Sequence, residues 1–177
     1  SAGDALALVR AGVDRVAMEA LFQDDPAECL RIAEAVGRQA VIRAQAMARR
    51  ADGGIELIDY RTTAPAGALD LDGIVRCSQA FSELLVIDHR NEGGQGTFDE
   101  GLIAPFAGTG LQIICLGGIT EKAQVERLFG QPQISAVAVG NLFTRRELAH
   151  RSLLDPAKVD AARDVSLGEQ TRGAREW

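Results

Sequence analysis

The chain is poor in the residues that build metal and disulfide sites. It has three cysteines and two histidines among 177 residues, and Cys29, Cys77 and Cys115 are far apart. An odd number of dispersed cysteines without a Cys-x-x-Cys pair is typical of reduced thiols in a cytoplasmic protein. We therefore expect three free thiols, no metal site, no cofactor and a cytoplasmic location.

Basic charge and long apolar runs are also scarce. Nineteen Lys and Arg against twenty-five Asp and Glu give a net charge of −6, whereas nucleic-acid-binding surfaces are basic. No apolar run approaches the roughly 18 residues of a membrane-spanning helix. We therefore expect neither nucleic acid nor membrane as a partner. The 46% apolar content is sufficient for a globular core.

What the sequence does contain is an alternation of apolar strands and amphipathic helices. Five strands are predicted near residues 13–18, 39–47, 83–88, 111–116 and 134–139. Helical spacing is found at residues 5–11, 26–36, 69–81, 98–107, 121–129 and 142–154. Residues 55–60 alternate after a Gly-Gly turn and predict a hairpin strand. Strands that alternate with helices in this way indicate βα units and a parallel sheet.

Two architectures suit such units: an open doubly wound sheet and a (β/α)8 barrel. No GxGxxG loop opens a helix, which counts against the open sheet. The segments VDRVAMEALF (13–22) and ISAVAVGNLF (134–143) share a Val-Ala pair followed by Leu-Phe, an echo that favours a barrel of two similar halves. A full barrel needs eight strands and about 250 residues. We predict an incomplete TIM-type barrel, about five of eight strands, over residues 1–154, and a polar tail over 155–177.

Glycine-rich turns follow three of the predicted strands. They contain Gly93 and Gly94, Gly117 and Gly118, and Gly140 with Asn141. A phosphate at the carboxyl ends of parallel strands is held by backbone N–H groups, and glycine leaves that approach open. These six residues are therefore predicted to bind phosphate. The alternative is that each Gly-Gly pair only makes a tight turn.

Five segments, taken in order, resemble those of a known family. They are VRAGVDRVAMEALFQDDP, GRQAVIRAQAMARR with the hairpin strand after it, ELLVIDHRNEGGQGTFDEGLI, LQIICLGGITEKAQVERLF and ISAVAVGNLFTRRELAH. From about Gly3 to Leu153 they are similar to the cyclase subunit of imidazole glycerol phosphate synthase and its paralogues. Members of that family are (β/α)8 barrels, so the resemblance implies a barrel whose first three strands are missing from this sequence.

The resemblance also implies ligands and partners. Members of the family bind a ribonucleotide with a phosphate at each end, accept ammonia from a glutaminase partner and form an imidazole ring. By resemblance, Gly117, Gly118, Gly140 and Asn141 fall on the phosphate site of the C-terminal half, with residues 88–94 as the loop beside it. The resemblance therefore implies a phosphorylated small molecule as ligand and a glutaminase-type subunit as partner.

The catalytic aspartates of the family have no counterpart in this chain. The family uses one in each half-barrel, and the resemblance places the second at Ala46, while the first lies on a strand outside this sequence. Alanine cannot transfer a proton. At the second phosphate site the family has an Asn-Thr pair, where this chain has Glu19-Ala20, and a carboxylate repels a phosphate dianion.

Three side chains remain as catalytic candidates. Asp88 ends a predicted strand and either takes part in catalysis or caps the loop that it begins. His89 is either a base that titrates near neutral pH or a solvated loop histidine. Glu19 is either a repurposed acid or the ion-pair partner of Arg43. Arg43 interrupts an apolar strand and needs a partner or a pore-facing position.

We therefore expect a cyclase-subunit-like barrel protein that binds a phosphorylated small molecule but lacks the ring-forming activity of the family. The alternative is an active cyclase- or lyase-type enzyme of histidine biosynthesis, or of an amidotransferase-linked sugar pathway, with an altered substrate. A third alternative is one product of a split barrel. Parallel strands that do not close leave two open edges, so we expect a homo-oligomer or a partner that completes the barrel.

Overall fold

Polar caps fix where the helices begin. The computed structural model describes residues 1–140. The first helix starts after Ser1, whose hydroxyl accepts a hydrogen bond from the Asp4 amide. The Asp25 carboxylate accepts from the Glu28 amide and caps a helix that begins at Pro26. The α-helices of the described range are α1 (Ala2–Arg10), α2 (Ala20–Asp24), α3 (Pro26–Val36), α4 (Leu71–Arg76) and α5 (Lys122–Phe129).

The described strands form one mixed, mostly parallel sheet. They are β1 (Val16–Met18), β2 (Val41–Arg49), β3 (Ile55–Asp59), β4 (Ala64–Ala68), β5 (Glu83–Asp88), β6 (Gln112–Leu116) and β7 (Ile134–Ala138). Their order is β4-β3-β2-β5-β6-β7, and β1 also pairs with β2. The strands β1, β2, β5, β6 and β7 run parallel, and β3 and β4 form an antiparallel hairpin on β2. Residues 1–138 form one compact unit.

The fold confirms the predicted α/β class and its five parallel strands. The hairpin strand and the helix at residues 26–36 are also confirmed. The predicted helix at 98–107 is wrong: two short 3-10 turns, Glu100–Leu102 and Ala104–Phe106, occupy it. Gly101 and Pro105 explain the difference, since glycine and proline are the poorest helix formers. The prediction for residues 69–81 is correct only for the six residues of α4, which a 3-10 turn follows. Residues 142–177, with the predicted tail boundary, lie outside the described range.

Two different strands share one edge of β2. The strand β1 pairs with Val41–Arg43, and β3 pairs with Met47–Arg49. The opposite edge of β2 is occupied by β5 over residues 42–47. Residues 44–46 therefore have no strand beside them on the β1 side, and their backbone groups there need other partners.

The two faces of the sheet differ in composition. Because side chains alternate along a strand, Arg43 and Gln45 project on the opposite face of β2 from Ala44, Ala46 and Ala48. The three alanines form an apolar cluster with Ile58 and Ile87, against which Leu85 and Leu116 pack. The small alanines leave room for Ile58 to fold over β2 from the hairpin.

At the amino ends of the strands, Glu83 links elements that are not neighbours. Its carboxylate accepts a hydrogen bond from the Ser135 hydroxyl at 2.7 Å and pairs with the guanidinium of Arg15. Glu83 begins β5, Ser135 lies in β7, and Arg15 precedes β1. The Glu83 side chain therefore connects β7 with the segment before β1, at the amino ends of the strands.

Candidate functional site

The carboxyl ends of the parallel strands bring together the polar residues of the candidate site. Glu19 follows β1, Asp88 ends β5 and Gly117 follows β6. Parallel strands place their carboxyl ends at one edge of a sheet, and ligand sites of βα proteins lie there. The antiparallel hairpin of β3 and β4 pairs with the carboxyl-terminal half of β2, so its residues also reach this edge.

Glu19 fills the gap on the edge of β2. Its Oε1 accepts a hydrogen bond of 3.0 Å from the Ala46 amide, one of the groups that neither β1 nor β3 pairs with. Partial burial raises the pKa of Glu19, and the Ala46 hydrogen bond opposes that rise. The nearby carboxylates of Asp59 and Glu92 raise this pKa further, whereas His89 lowers it. Glu19 is therefore a carboxyl group that retains its proton to a higher pH than an exposed glutamate does.

Position 46 itself carries no functional group. The Ala46 methyl is fully buried in the apolar cluster with Ala44 and Ala48. The Glu19 carboxylate contacts the backbone of this residue, at its amide. A carboxyl group is thus present beside position 46, although it comes from the residue after β1.

His89 lies across β2 from Glu19, at the start of the loop after β5. Its amide donates a hydrogen bond of 3.0 Å to the Met47 carbonyl. Its ring meets the Tyr60 ring edge-on, with centroids 6.1 Å apart. The Tyr60 hydroxyl donates to the Glu92 carboxylate at 3.3 Å. His89 is half-buried, so the solvated loop histidine expected as an alternative is replaced by one packed against the hairpin.

Asp88 holds the loop that it begins. Its carboxylate accepts hydrogen bonds from the Asn91 side-chain amide at 2.8 Å, the Asn91 backbone amide at 3.3 Å and the Asp99 amide at 2.8 Å. The residue is only 1% exposed. Because these three donors come from the loop itself, the structure favours the capping alternative for Asp88.

Gly117 and Gly118 form a close contact with the same loop. A side-chain carbon at Gly117 would lie 2.7 Å from the Asp88 carbonyl oxygen, and one at Gly118 would lie 2.8 Å from the Asn91 carbonyl oxygen. Both residues have positive φ, 114° and 66°. The Thr97 amide donates to the Gly118 carbonyl at 2.9 Å. Only glycine fits at these two positions. The close approach of the loop after β5 is by itself a sufficient reason for the Gly-Gly pair.

The structure brings two of the three predicted glycine turns together. Gly94 lies in the loop after β5, with its amide donating to the Asn91 carbonyl at 2.9 Å, and Asn91 also abuts Gly118. Gly93 has a positive φ of 86°. Gly140 is the last described residue, and Asn141 lies outside the described range.

Arg43 is not the partner of Glu19. Its guanidinium carbon lies 5.0 Å from the Phe22 ring centroid, and its Nη2 lies 3.4 Å from the Gln45 side-chain oxygen. Among the described residues no carboxylate lies within ion-pair distance of Arg43. Arg43 projects to the helix-covered face of β2, while Glu19 approaches the strand edge. The expected ion pair is therefore wrong.

Tyr60 and Glu92 are site residues that the sequence analysis missed. Tyr60 is the only tyrosine of the chain and directly follows the hairpin strand β3. A lone tyrosine at the end of a predicted strand is a sequence feature from which Tyr60 could have been named as a candidate. Its contact with His89 depends on the hairpin folding back over β5, which the residue pattern does not specify.

Other site classes are not represented in the described part of the chain. Within residues 1–140, no group of three or more His, Cys, Asp or Glu side chains is arranged to hold a metal ion. Across the same range, every helix is too short or too polar to cross a membrane. Cys29, Cys77 and Cys115 are free, and burial raises the pKa of Cys29 to about 11 and that of Cys115 to about 12.

Comparison with known proteins finds relatives that share one name. No family model matches the chain. A protein of Lacticaseibacillus paracasei named imidazole glycerol phosphate synthase subunit HisF is 33% identical over 169 residues, and one of the same name from Lacticaseibacillus casei is 32% identical over 169 residues. Each match covers 90% of this chain and 66% of the relative. The chain is therefore related to the HisF family of imidazole glycerol phosphate synthase subunits.

Proposed function

We propose that the chain is a cyclase-subunit-like (β/α) barrel protein that binds a phosphorylated small molecule in the cytoplasm. The proposal is supported by five parallel strands, by the relation to HisF and by the glycine turns at the strand ends. The observation that carries it is the packing of the Asn91–Gly94 turn against Gly118. Glycine backbones from two neighbouring strand ends are thereby held side by side.

The ring-forming activity of the family is not expected of this chain. The resemblance places a catalytic aspartate at position 46, and Ala46 is a fully buried methyl group. A general acid or base must reach the proton that it transfers, and alanine has no titratable group. We therefore propose binding of a phosphorylated ligand without cyclisation by an aspartate at this position.

Phosphate binding is best tested without changing the glycines, since a side chain at Gly117 or Gly118 would displace the loop. Gln95 is exposed between Gly94 and Gly96, so its charge can be varied while the backbone is kept. In calorimetry with inorganic phosphate and ribose 5-phosphate, Gln95→Lys should tighten binding and Gln95→Glu should weaken it by about threefold or more. Gln79→Glu, exposed elsewhere on the chain, is the matched control. Absence of binding to the unaltered chain would refute the proposal.

A second candidate function is an active cyclase- or lyase-type enzyme with an altered substrate, in histidine biosynthesis or an amidotransferase-linked sugar pathway. The Glu19 carboxylate on the Ala46 amide favours it, because an acid group is present beside position 46. Rescue of a cyclase-deficient histidine auxotroph tests this candidate. Growth that is lost with Glu19→Gln would establish activity, and failure to grow would support the binding function.

We also propose that another chain covers the strand edges that the sheet of residues 1–140 leaves unpaired. The relatives are named as subunits of a synthase, which supports a glutaminase-type partner, while a second copy of this chain or a complementary barrel segment would cover β1. Light scattering of the purified chain should show a homo-oligomer, or a monomer that associates when the partner is added. A monomer at high concentration that binds neither would contradict this proposal.

A further inference from the structure

Three polar residues surround residues 46 and 47 of β2. Glu19 accepts a hydrogen bond from the amide of residue 46 at 3.0 Å, from the β1 side. His89 donates its own amide to the carbonyl of residue 47 at 3.0 Å, from the β5 side. Tyr60 packs its ring edge-on against the His89 ring. The site therefore combines a carboxyl, an imidazole and a phenol.

One ring nitrogen of His89 has no hydrogen-bond partner in the described part of the chain. Its Nδ1 is shielded from solvent and has no hydrogen-bond partner within residues 1–140. Buried polar atoms are normally paired, and exceptions need an explanation such as a catalytic role or a bound molecule. His89 directly follows β5, and its ring packs against Tyr60, which follows β3 of the hairpin.

The charge around the site is mainly negative. Glu19 lies within the electrostatic field of Asp59, Glu92 and His89. Asp59 is paired with Arg61 at 3.0 Å, which neutralises part of its charge. Glu92 accepts from Tyr60 and has no ion-pair partner among the described residues. An anion such as phosphate is repelled here, whereas a cationic group is attracted.

We propose that Glu19 and His89 form an acid–base pair, with Tyr60 positioning the imidazole, and that the pair takes the cationic, nitrogen-bearing end of a small ligand. This inference rests on the geometry of β2, β5 and the hairpin and does not depend on the phosphate site proposed above. Any phosphate of the same ligand would lie away from Glu19 and Asp59.

The pair can exchange protons with a ligand without any other reactant. The raised pKa of Glu19 keeps a larger fraction of its carboxyl protonated near neutral pH than an exposed glutamate has. One proton passes from the carboxyl oxygen to the ligand, and one passes from the ligand to an imidazole nitrogen, so charge is redistributed and no electron is transferred. Reversal of both transfers restores the starting state.

A ligand-free measurement tests the pair directly. In NMR titrations that follow the Glu19 carboxyl carbon, Glu92→Gln should lower the Glu19 midpoint and His89→Gln should raise it, each by roughly 0.2–0.5 pH unit. Glu126→Gln, on exposed α5, is the matched control and should leave the midpoint unchanged. A Glu19 midpoint that is equal in all four proteins would overturn the assignment.

Methylammonium and inorganic phosphate then separate this site from the phosphate site. Millimolar methylammonium should shift the His89 ring signals, and the shift should disappear in Glu19→Gln, which keeps an acceptor for the Ala46 amide. Phosphate should leave these signals in place. No response to methylammonium, or an equal response in Glu19→Gln, would refute the cation site. Failure of phosphate to bind anywhere would instead remove the proposed function and leave the present inference intact.

Discussion

The Glu19 carboxylate lies 3.0 Å from the backbone nitrogen of Ala46, joining the residue after β1 to the centre of β2. The contact has a structural cause, because β1 and β3 occupy the two ends of one strand edge and leave the Ala46 amide between them. It also has a chemical consequence, since it fixes a partly buried acid at the carboxyl end of the sheet. Structural and functional roles of Glu19 can be separated by the choice of substitution.

Glu19→Ala should destabilise the fold, whereas Glu19→Gln should not. The alanine variant leaves the amide of residue 46 unpaired in a buried strand, which costs about 1–3 kcal/mol. Glutamine retains an oxygen acceptor at the same reach, so its free energy of unfolding should stay within about 0.5 kcal/mol of the parent chain. Urea denaturation monitored by circular dichroism gives both values. Equal losses for the two variants would show that the acceptor atom is unimportant.

The stability difference between the parent chain and Glu19→Gln should depend on pH. A carboxyl whose pKa is raised on folding from its ordinary value of 4.5 binds protons more tightly in the folded state. Its favourable contribution is complete below pH 4.5 and is lost as the pH rises through the folded pKa. The free energy of unfolding of Glu19→Gln should therefore increase relative to that of the parent chain as the pH rises above 4.5. Thermal unfolding of both proteins from pH 4 to about pH 8 measures the difference; a constant difference would contradict the raised pKa.

Asp88→Ala should loosen the loop over residues 89–98 and destabilise the chain. The substitution removes the acceptor of three hydrogen bonds, including the Asp99 amide at 2.8 Å, and charged acceptors of this kind contribute roughly 1.5–3 kcal/mol each. Hydrogen exchange should accelerate at Asn91 and Asp99 most of all. Asn91→Ala, which removes one of the donors, is the graded control and should have a smaller effect. Unchanged hydrogen exchange at the Asp99 amide would contradict the role of Asp88 in holding the loop.

Gly117→Ala should destabilise the fold by about 2–4 kcal/mol, from backbone strain and from the clash with the Asp88 carbonyl. Gly12→Ala is the matched control: its φ is also positive, at 98°, but a side-chain carbon there meets nothing within 4 Å. Gly12→Ala should lose only the free energy that alanine costs at a positive φ, about 1–2 kcal/mol. The denaturant midpoints of the two variants, compared at an equal dependence of unfolding free energy on denaturant, give both losses. A similar loss in both variants would show that the loop yields to the added carbon.

Arg43→Met should keep or increase the free energy of unfolding, by up to about 1 kcal/mol. Arg43 is 7% exposed, and burial lowers its pKa, which indicates that its charge is poorly solvated. Methionine retains much of the volume against Phe22 and removes a charge that lacks a carboxylate within ion-pair distance in the described residues. Arg38→Met, at an exposed position, is the control. A loss above about 1 kcal/mol would indicate an unrecognised partner for Arg43.

The strands were predictable because each parallel strand carries a short run of mostly apolar residues, as in ELLVID of β5. The glycine turns after β5 and β6 could be located because they interrupt that signal. The site was only partly predictable. Asp88, His89 and Glu19 could be named as candidates, but the sequence places Glu19 and Ala46 in separate segments and does not reveal that two strands share one edge of β2. Arg43 was assigned the wrong partner because the residue pattern alone did not show which face of β2 it occupies.

The outer strand of the hairpin carries a safeguard against fibre growth. All five residues of β4 are exposed, and a bare strand edge normally recruits further strands from other molecules. Pro65 has no amide hydrogen to offer, and Gly67 bends the chain with a φ of 117°. Edge-to-edge association through β4 is therefore disfavoured. The hairpin can stay exposed to water without becoming a template for aggregates.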